Sequence, residues 1–211
     1  MSAQVGVAEL AAEEEAPRAG SGAGPAPVRI VVGYGFWIFL LSDIILFSAL
    51  FATYAVLRGQ TAGGPSGHEL FDLRHAGIET LCLLFSSYTC GLGVLAAERR
   101  RISAFYLCFA FTFLLGAIFL SLEASEFAGL LAQGAGPSRS AFLSAFFSLV
   151  GLHGAHVTVG LLWLIFLVTQ TAYRGPVDYV RRRLLCFSLF WHALDIIWVA
   201  LLTMVYLMGA R

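Results

Sequence analysis

Five stretches of this chain are long and apolar enough to cross a bilayer as helices, and single charges are almost all that interrupts them. A hydrocarbon core about 30 Å thick takes roughly 20 mostly apolar residues to cross. The stretches are 31–57, 76–97, 102–122, 141–173 and 184–208. Inside hydrocarbon every backbone N–H and C=O must be satisfied by the chain itself, so stretches of this length can only be helices. The expected fold is therefore an all-α membrane protein of five transmembrane helices. The fourth stretch, at 33 residues, exceeds an upright span and should tilt or protrude.

Composition agrees. Hydrophobic residues make up 59% of the 211 and charged residues 12%, with a mean hydropathy of +0.82; a soluble domain has about twice that share of charge. Thirteen basic residues balance thirteen acidic ones, leaving no excess to displace counterions from nucleic acid. The four cysteines, Cys82, Cys90, Cys108 and Cys186, lie in or beside apolar spans without a C-x-x-C pair, and read as packing thiols. Residues 1–30, rich in Ala, Gly, Pro and Glu, are expected to be a disordered tail ahead of a domain over 31–211; no basic start and apolar stretch marks a secretory signal.

Arginines set the orientation, because short basic loops stay on the cytoplasmic side. Arg18, Arg29, Arg99, Arg100, Arg101, Arg174, Arg181, Arg182 and Arg183 fall on one side, against Arg58, Arg74, Arg139 and Arg211 on the other. That distribution places the N-terminus inside and the C-terminus outside.

Polar groups at bilayer depth are costly and mark either interior contacts or function. Asp43 lies 14 residues from Arg29 and 15 from Arg58, so it falls near the midplane. Asp195, His192, His153 and His156 are central by the same measure. Glu79, Glu123 and Glu126 come out near the outer surface, where a solvated helix end accounts for the last two as well as any role does. His153 and His156 share a helix face at i,i+3, as do His192 and Asp195. Imidazole is the commonest metal ligand. Yet there is no H-E-x-x-H and no Glu-x-x-His, and the Glu residues that a di-iron site would need lie at another depth than the histidines. Hydrogen bonds across helices, for instance from His192 to a neighbouring carboxylate, are the expected role. A stand-alone metal-dependent enzyme using His153, His156 and His192 is the competing one. Asp43, a lone midplane carboxylate, must be paired or protonated; a structural hydrogen bond, a proton-linked site and an inter-subunit contact all remain open. Gly151, Gly154 and Gly160 in the fourth span, and Gly91 and Gly93 in the second, permit close helix approach. All six prolines lie outside the spans, unlike the broken helices of a transporter.

The strings FWIFLLSDIILFSALFATYAVL (36–57), TAGGPSG (61–67), ETLCLLFSS (79–87), GPSRSAFLSAFFSLVGLHGAHVTVG (136–160) and LFWHALDIIWVALLTMVYLMG (189–209) occur in an order that resembles subunit III of the haem-copper terminal oxidases. The number of spans is similar to the five-helix subunit III of the cytochrome o (bo-type) ubiquinol oxidases. The resemblance implies a non-catalytic accessory subunit, without metal, of a proton-pumping respiratory oxidase that oxidises ubiquinol and reduces oxygen to water. Haem and copper would sit on a partner, subunit I, with subunits II and IV in the same complex. It also implies a bacterial cytoplasmic membrane location, bound phospholipid in a V-shaped cleft, and support of proton uptake by subunit I. Asp43 falls where the wider family has the carboxylate of a Ser-Glu string; Ser42-Asp43 is one methylene shorter. Glu126, His153, His156, His192, Asp195 and Trp198 match the family's other polar strings. The same role in a cytochrome c oxidase is the alternative.

Overall fold

The computed structural model describes residues 28–63, 73–174 and 178–207. The expected tail up to residue 27, residues 64–67 of the TAGGPSG loop and the chain end from 208 lie outside these. The chain divides into two compact units, Met1–Tyr34 and Gly35–Arg211. Of the first, the described part is the opening of a helix. The packing and contacts that follow concern the second.

The described residues are helical almost throughout: α1 (Val28–Leu57), α2 (Leu73–Glu98), α3 (Ile102–Ala132), α4 (Ala141–Arg174) and α5 (Asp178–Leu201), the last continuing as a π-helical stretch over Leu202–Leu207. Among the described residues, five helices are long and apolar enough to span a membrane. The spans are thus found in number and order, but their ends move. α1 begins at Val28 rather than Val31, and α3 runs on to Ala132 where hydropathy alone ended it at Leu122. The carboxylates Glu123 and Glu126 prompted that early end, and they prove to lie inside the helix. At about 1.5 Å per residue, α3 and α4 each extend well beyond a bilayer core.

Local chemistry sets the ends. α2 and α3 form a tight antiparallel hairpin whose turn places Arg100 at φ 55°, a left-handed conformation closed by Arg101 N–H donating to Ala96 O at 2.9 Å. Gly134 at φ 72° ends α3, its N–H on Leu131 O and that of Ala135 on Leu130 O, a glycine stop that satisfies the orphan carbonyls. Ser140 caps α4, its Oγ accepting from Leu143 N–H at 3.2 Å. Phe142 N–H donates to Gln60 O, tying the chain after α1 to the start of α4.

Helices α2 to α5 pack around a core that includes Phe105, Phe109, Phe119, Phe146, Phe187, Trp191 and Trp198. Helix α1 meets α4 differently, through one stripe of its surface. Leu40, Phe47 and Tyr54 are buried at seven-residue intervals, with Phe36, Asp43 and Leu50 half-buried on the same side. Rings span the gap: Phe36 on Trp163, Phe47 on His156 and Tyr54 on Phe142, with centroids 5.3–6.0 Å apart. Large apolar side chains such as Trp37, Ile45, Phe85, Phe111 and Ile196 are exposed on the outside of the bundle. That arrangement suits hydrocarbon as solvent.

Candidate functional site: polar groups inside the bundle

Two groups of polar side chains occupy the interior. The first joins α1 to α4. His156 Nδ1 lies 2.8 Å from its own-helix carbonyl Leu152 O. A carbonyl only accepts, so Nδ1 carries the proton. The other nitrogen, Nε2, then faces Asp43 Oδ1 at 4.0 Å. Two lone pairs would repel there, so the contact is favourable when one proton belongs to the pair, on the imidazole or on the carboxyl. Side-chain exposure of 19% and 17% leaves both partners near the surface of the bundle. Asp43 thus lies beside a histidine of the motif that the sequence singled out.

His153, one turn earlier, is wholly buried among the rings of Phe47, Phe119 and Trp198. Neither of its nitrogens has a hydrogen-bond partner among the described residues. His192 meets a hydroxyl rather than the carboxylate expected of it: Ser87 Oγ lies 2.8 Å from His192 Nδ1, joining α5 to α2. Asp195 is half-buried on the same helix and interacts with the same serine. Both tryptophans of α5 also donate to α2, Trp191 Nε1 to Ser86 Oγ at 3.1 Å and Trp198 Nε1 to Thr80 Oγ1 at 3.0 Å. Ser86 in turn donates to Thr112 O of α3 at 3.1 Å. The hydroxyl row Thr80, Ser86 and Ser87 had no place in the sequence reading. Its spacing in ETLCLLFSS was the available signal.

The second group is acidic. Glu79 on α2 has no exposed surface, and Glu123 on α3 is 4% exposed. Glu123 therefore does not sit at a solvated helix end, one of the two readings its sequence position left open. Helix α3 continues for nine residues beyond it, and α4 covers it. Glu126 accepts a hydrogen bond from Tyr206 of the π-helical stretch at 3.0 Å. Glu79 lies within electrostatic reach of Glu123 and Glu126, and His75 Nε2 is 3.7 Å from Glu79 Oε1. Sequence reasoning missed Tyr206, whose place on the widened turn follows from no local pattern.

Glycines shape both groups. A Cβ on Gly154 would stand 2.7 Å from Glu123 Oε1, and one on Gly160 would stand 2.8 Å from the Trp191 ring. Gly93 lies as close to Phe109, whereas Gly151 and Gly91 have ordinary clearance, at 3.6 Å from Phe127 and 3.9 Å from His192. Gly116, which the sequence did not single out, packs against Leu161 and Trp191. Among the described residues no three His, Cys, Asp or Glu side chains are grouped to hold a metal ion.

Cytochrome bo(3) ubiquinol oxidase subunit 3 of Pseudomonas aeruginosa is 51% identical over 84% of this chain and 85% of its own. That of Pseudomonas putida is 49% identical over 83% and 84%. Cytochrome c oxidase subunit 3 of Bacillus sp. (strain PS3) is 43% identical over the same shares. The family profile described as Cytochrome c oxidase subunit III matches residues 14–210, and the chain belongs to that family.

Proposed function

We propose that this chain is the non-catalytic subunit III of a respiratory oxidase that oxidises ubiquinol, reduces oxygen to water and pumps protons. It lies in the bacterial inner membrane against subunit I, with subunits II and IV in the same complex. Haem and copper belong to subunit I. The observation that carries the reading is the similarity to ubiquinol oxidase subunits over most of the chain, at 51% and 49% identity. A cytochrome c oxidase subunit at 43% identity keeps that donor as the second reading.

Orientation and lipid are part of the proposal. The arginine-rich α2–α3 turn faces the cytoplasm, with the N-terminus inside and the C-terminus outside. Helix α1 meets α4 through side-chain rings, and the space flanking that contact is where a V-shaped, phospholipid-holding cleft would open. In this reading Asp43, His153, His156, His192 and Asp195 are the midplane polar set that supports proton uptake by subunit I. Glu79, Glu123 and Glu126 form a set at the outer depth, and Gly151, Gly154, Gly160 and Trp198 serve helix packing.

Purification through a tag on this chain in mild detergent tests the assignment. The expected product is a complex that consumes oxygen rapidly with ubiquinol and slowly with reduced cytochrome c. The reverse preference would move the chain to the second reading, and no co-purifying oxidase would end both.

A further inference from the structure

We propose that His75 and Glu79 form a proton-exchange site at the start of α2, in which the partly exposed imidazole carries protons between the aqueous face at that end of the helix and a fully buried carboxyl group. The ligand of the site is the proton.

The two residues sit one turn apart on one face of α2, so that helix alone holds them side by side. His75 Nε2 lies 3.7 Å from Glu79 Oε1. Their exposures differ, 34% for the imidazole and none for the carboxyl. The two facing atoms are both buried, and neither has a hydrogen-bond partner among the described residues; nor has Glu79 Oε2. An ionised carboxylate taken out of water without a hydrogen bond is costly, and at 3.7 Å the imidazole does not supply one. Glu79 therefore holds its proton in this arrangement, and Nε2 is the acceptor that its carboxyl faces. Rotation of either flexible side chain brings Nε2 and Oε1 to about 2.9 Å, hydrogen-bond distance.

The step balances within the pair. The O–H bond of Glu79 breaks as the Nε2–H bond forms, leaving a carboxylate beside an imidazolium. The ring then turns about its Cβ–Cγ bond, gives that proton to water and takes another back, and the reverse transfer restores neutral Glu79. Water is the only other participant. Imidazole suits the task because its ordinary pKa, about 6.5, lets it take up and release protons near neutral pH.

Helices α3 and α5 pack against α2. From them Glu123, Glu126 and Tyr206 lie within electrostatic reach of Glu79, as does Cys82 on α2 itself. Arg74 precedes His75 and has an interaction of its own. These groups tune the energy of the charged intermediate, while the transfer runs along the contact between Nε2 and Oε1.

Infrared spectroscopy of the protein, purified with its partners, tests the site through the rate at which Glu79 exchanges its proton. Glu79→Gln identifies the group, as the protonated C=O band that it removes at neutral pH. On transfer to D2O the parent band should shift at a rate that falls below about pH 6.5, where the imidazole is already protonated and cannot accept. In His75→Phe the band should persist and exchange about a hundredfold more slowly, as expected for loss of a positioned base, and without that pH dependence. A Glu79→Gln spectrum with no band missing would mean an ionised carboxylate and overturn the proposal. A His75→Phe band that exchanges as fast as the parent's would overturn it too. If Glu79→Gln fails to assemble, Glu79→Asp, which moves the band instead of removing it, makes the identification.

Discussion

The imidazole of His156 faces the carboxyl of Asp43 at 4.0 Å, across the boundary between α4 and α1. With Nδ1 committed to Leu152 O, it is Nε2 that faces the carboxyl. Together with the rings of Phe36, Phe47 and Tyr54, this contact holds a helix that otherwise shows apolar surface to its surroundings.

Replacing Asp43 by Ala removes the polar partner of His156 and keeps the ring contacts. Polar contacts between membrane helices average about 0.6 kcal/mol, so the bundle should survive. The expected outcome is an unchanged initial rate of quinol oxidation by the complex with faster loss of activity during sustained turnover. Asp43→Asn, which keeps a polar group facing His156, should fall between Ala and the parent. Identical inactivation in all three would remove Asp43 from the functional account.

Gly160 and Gly151 make a matched pair on α4. A methyl at 160 drives into the rigid Trp191 ring, while one at 151 meets Phe127 at 3.6 Å. Gly160→Ala should therefore cost about 1–3 kcal/mol, the range for overpacking a filled core, and Gly151→Ala little. Thermal unfolding of the purified complex in detergent checks the contrast, and equal midpoints would contradict it.

Trp198 donates to Thr80 from a fully buried position. Thr80→Val keeps the shape but leaves the indole N–H without its acceptor, at a cost of about 1–3 kcal/mol. Trp198→Phe in the same background removes the orphan donor, though it also gives up ring area. A double-mutant cycle on unfolding midpoints should show coupling between the two positions, and strict additivity would argue that the bond contributes nothing.

The orientation predicts opposite accessibility for two exposed turns. Cys introduced at Arg99 should react with an impermeant thiol reagent only from the cytoplasmic side, and Cys introduced at Ser138 only from the other. Labelling of both from one side would refute the five-span topology.

What the sequence made legible follows from how local each signal is. Hydropathy over about 20 residues located the five helices, because crossing hydrocarbon is a property of a segment by itself. It failed at the end of α3, where Glu123 resembles a solvated boundary until α4 is known to cover it. The pairing of Asp43 with a histidine was open to sequence reasoning through their shared depth. The partner of His192 was not, since Ser87 is one of many hydroxyls and only the α2–α5 packing selects it. Tyr206 was hidden for a similar reason, its direction depending on a π-helical turn.

The central claim is that this chain serves an oxidase without carrying a redox centre, and a reduced-minus-oxidised visible spectrum with metal analysis tests it most directly. Two samples are compared, the complex purified through this chain and the chain separated from its partners. The account predicts haem and copper in the complex and neither on the separated chain. Stoichiometric haem or metal on the separated chain would contradict it, and would make His153, His156 and His192 the first ligands to examine.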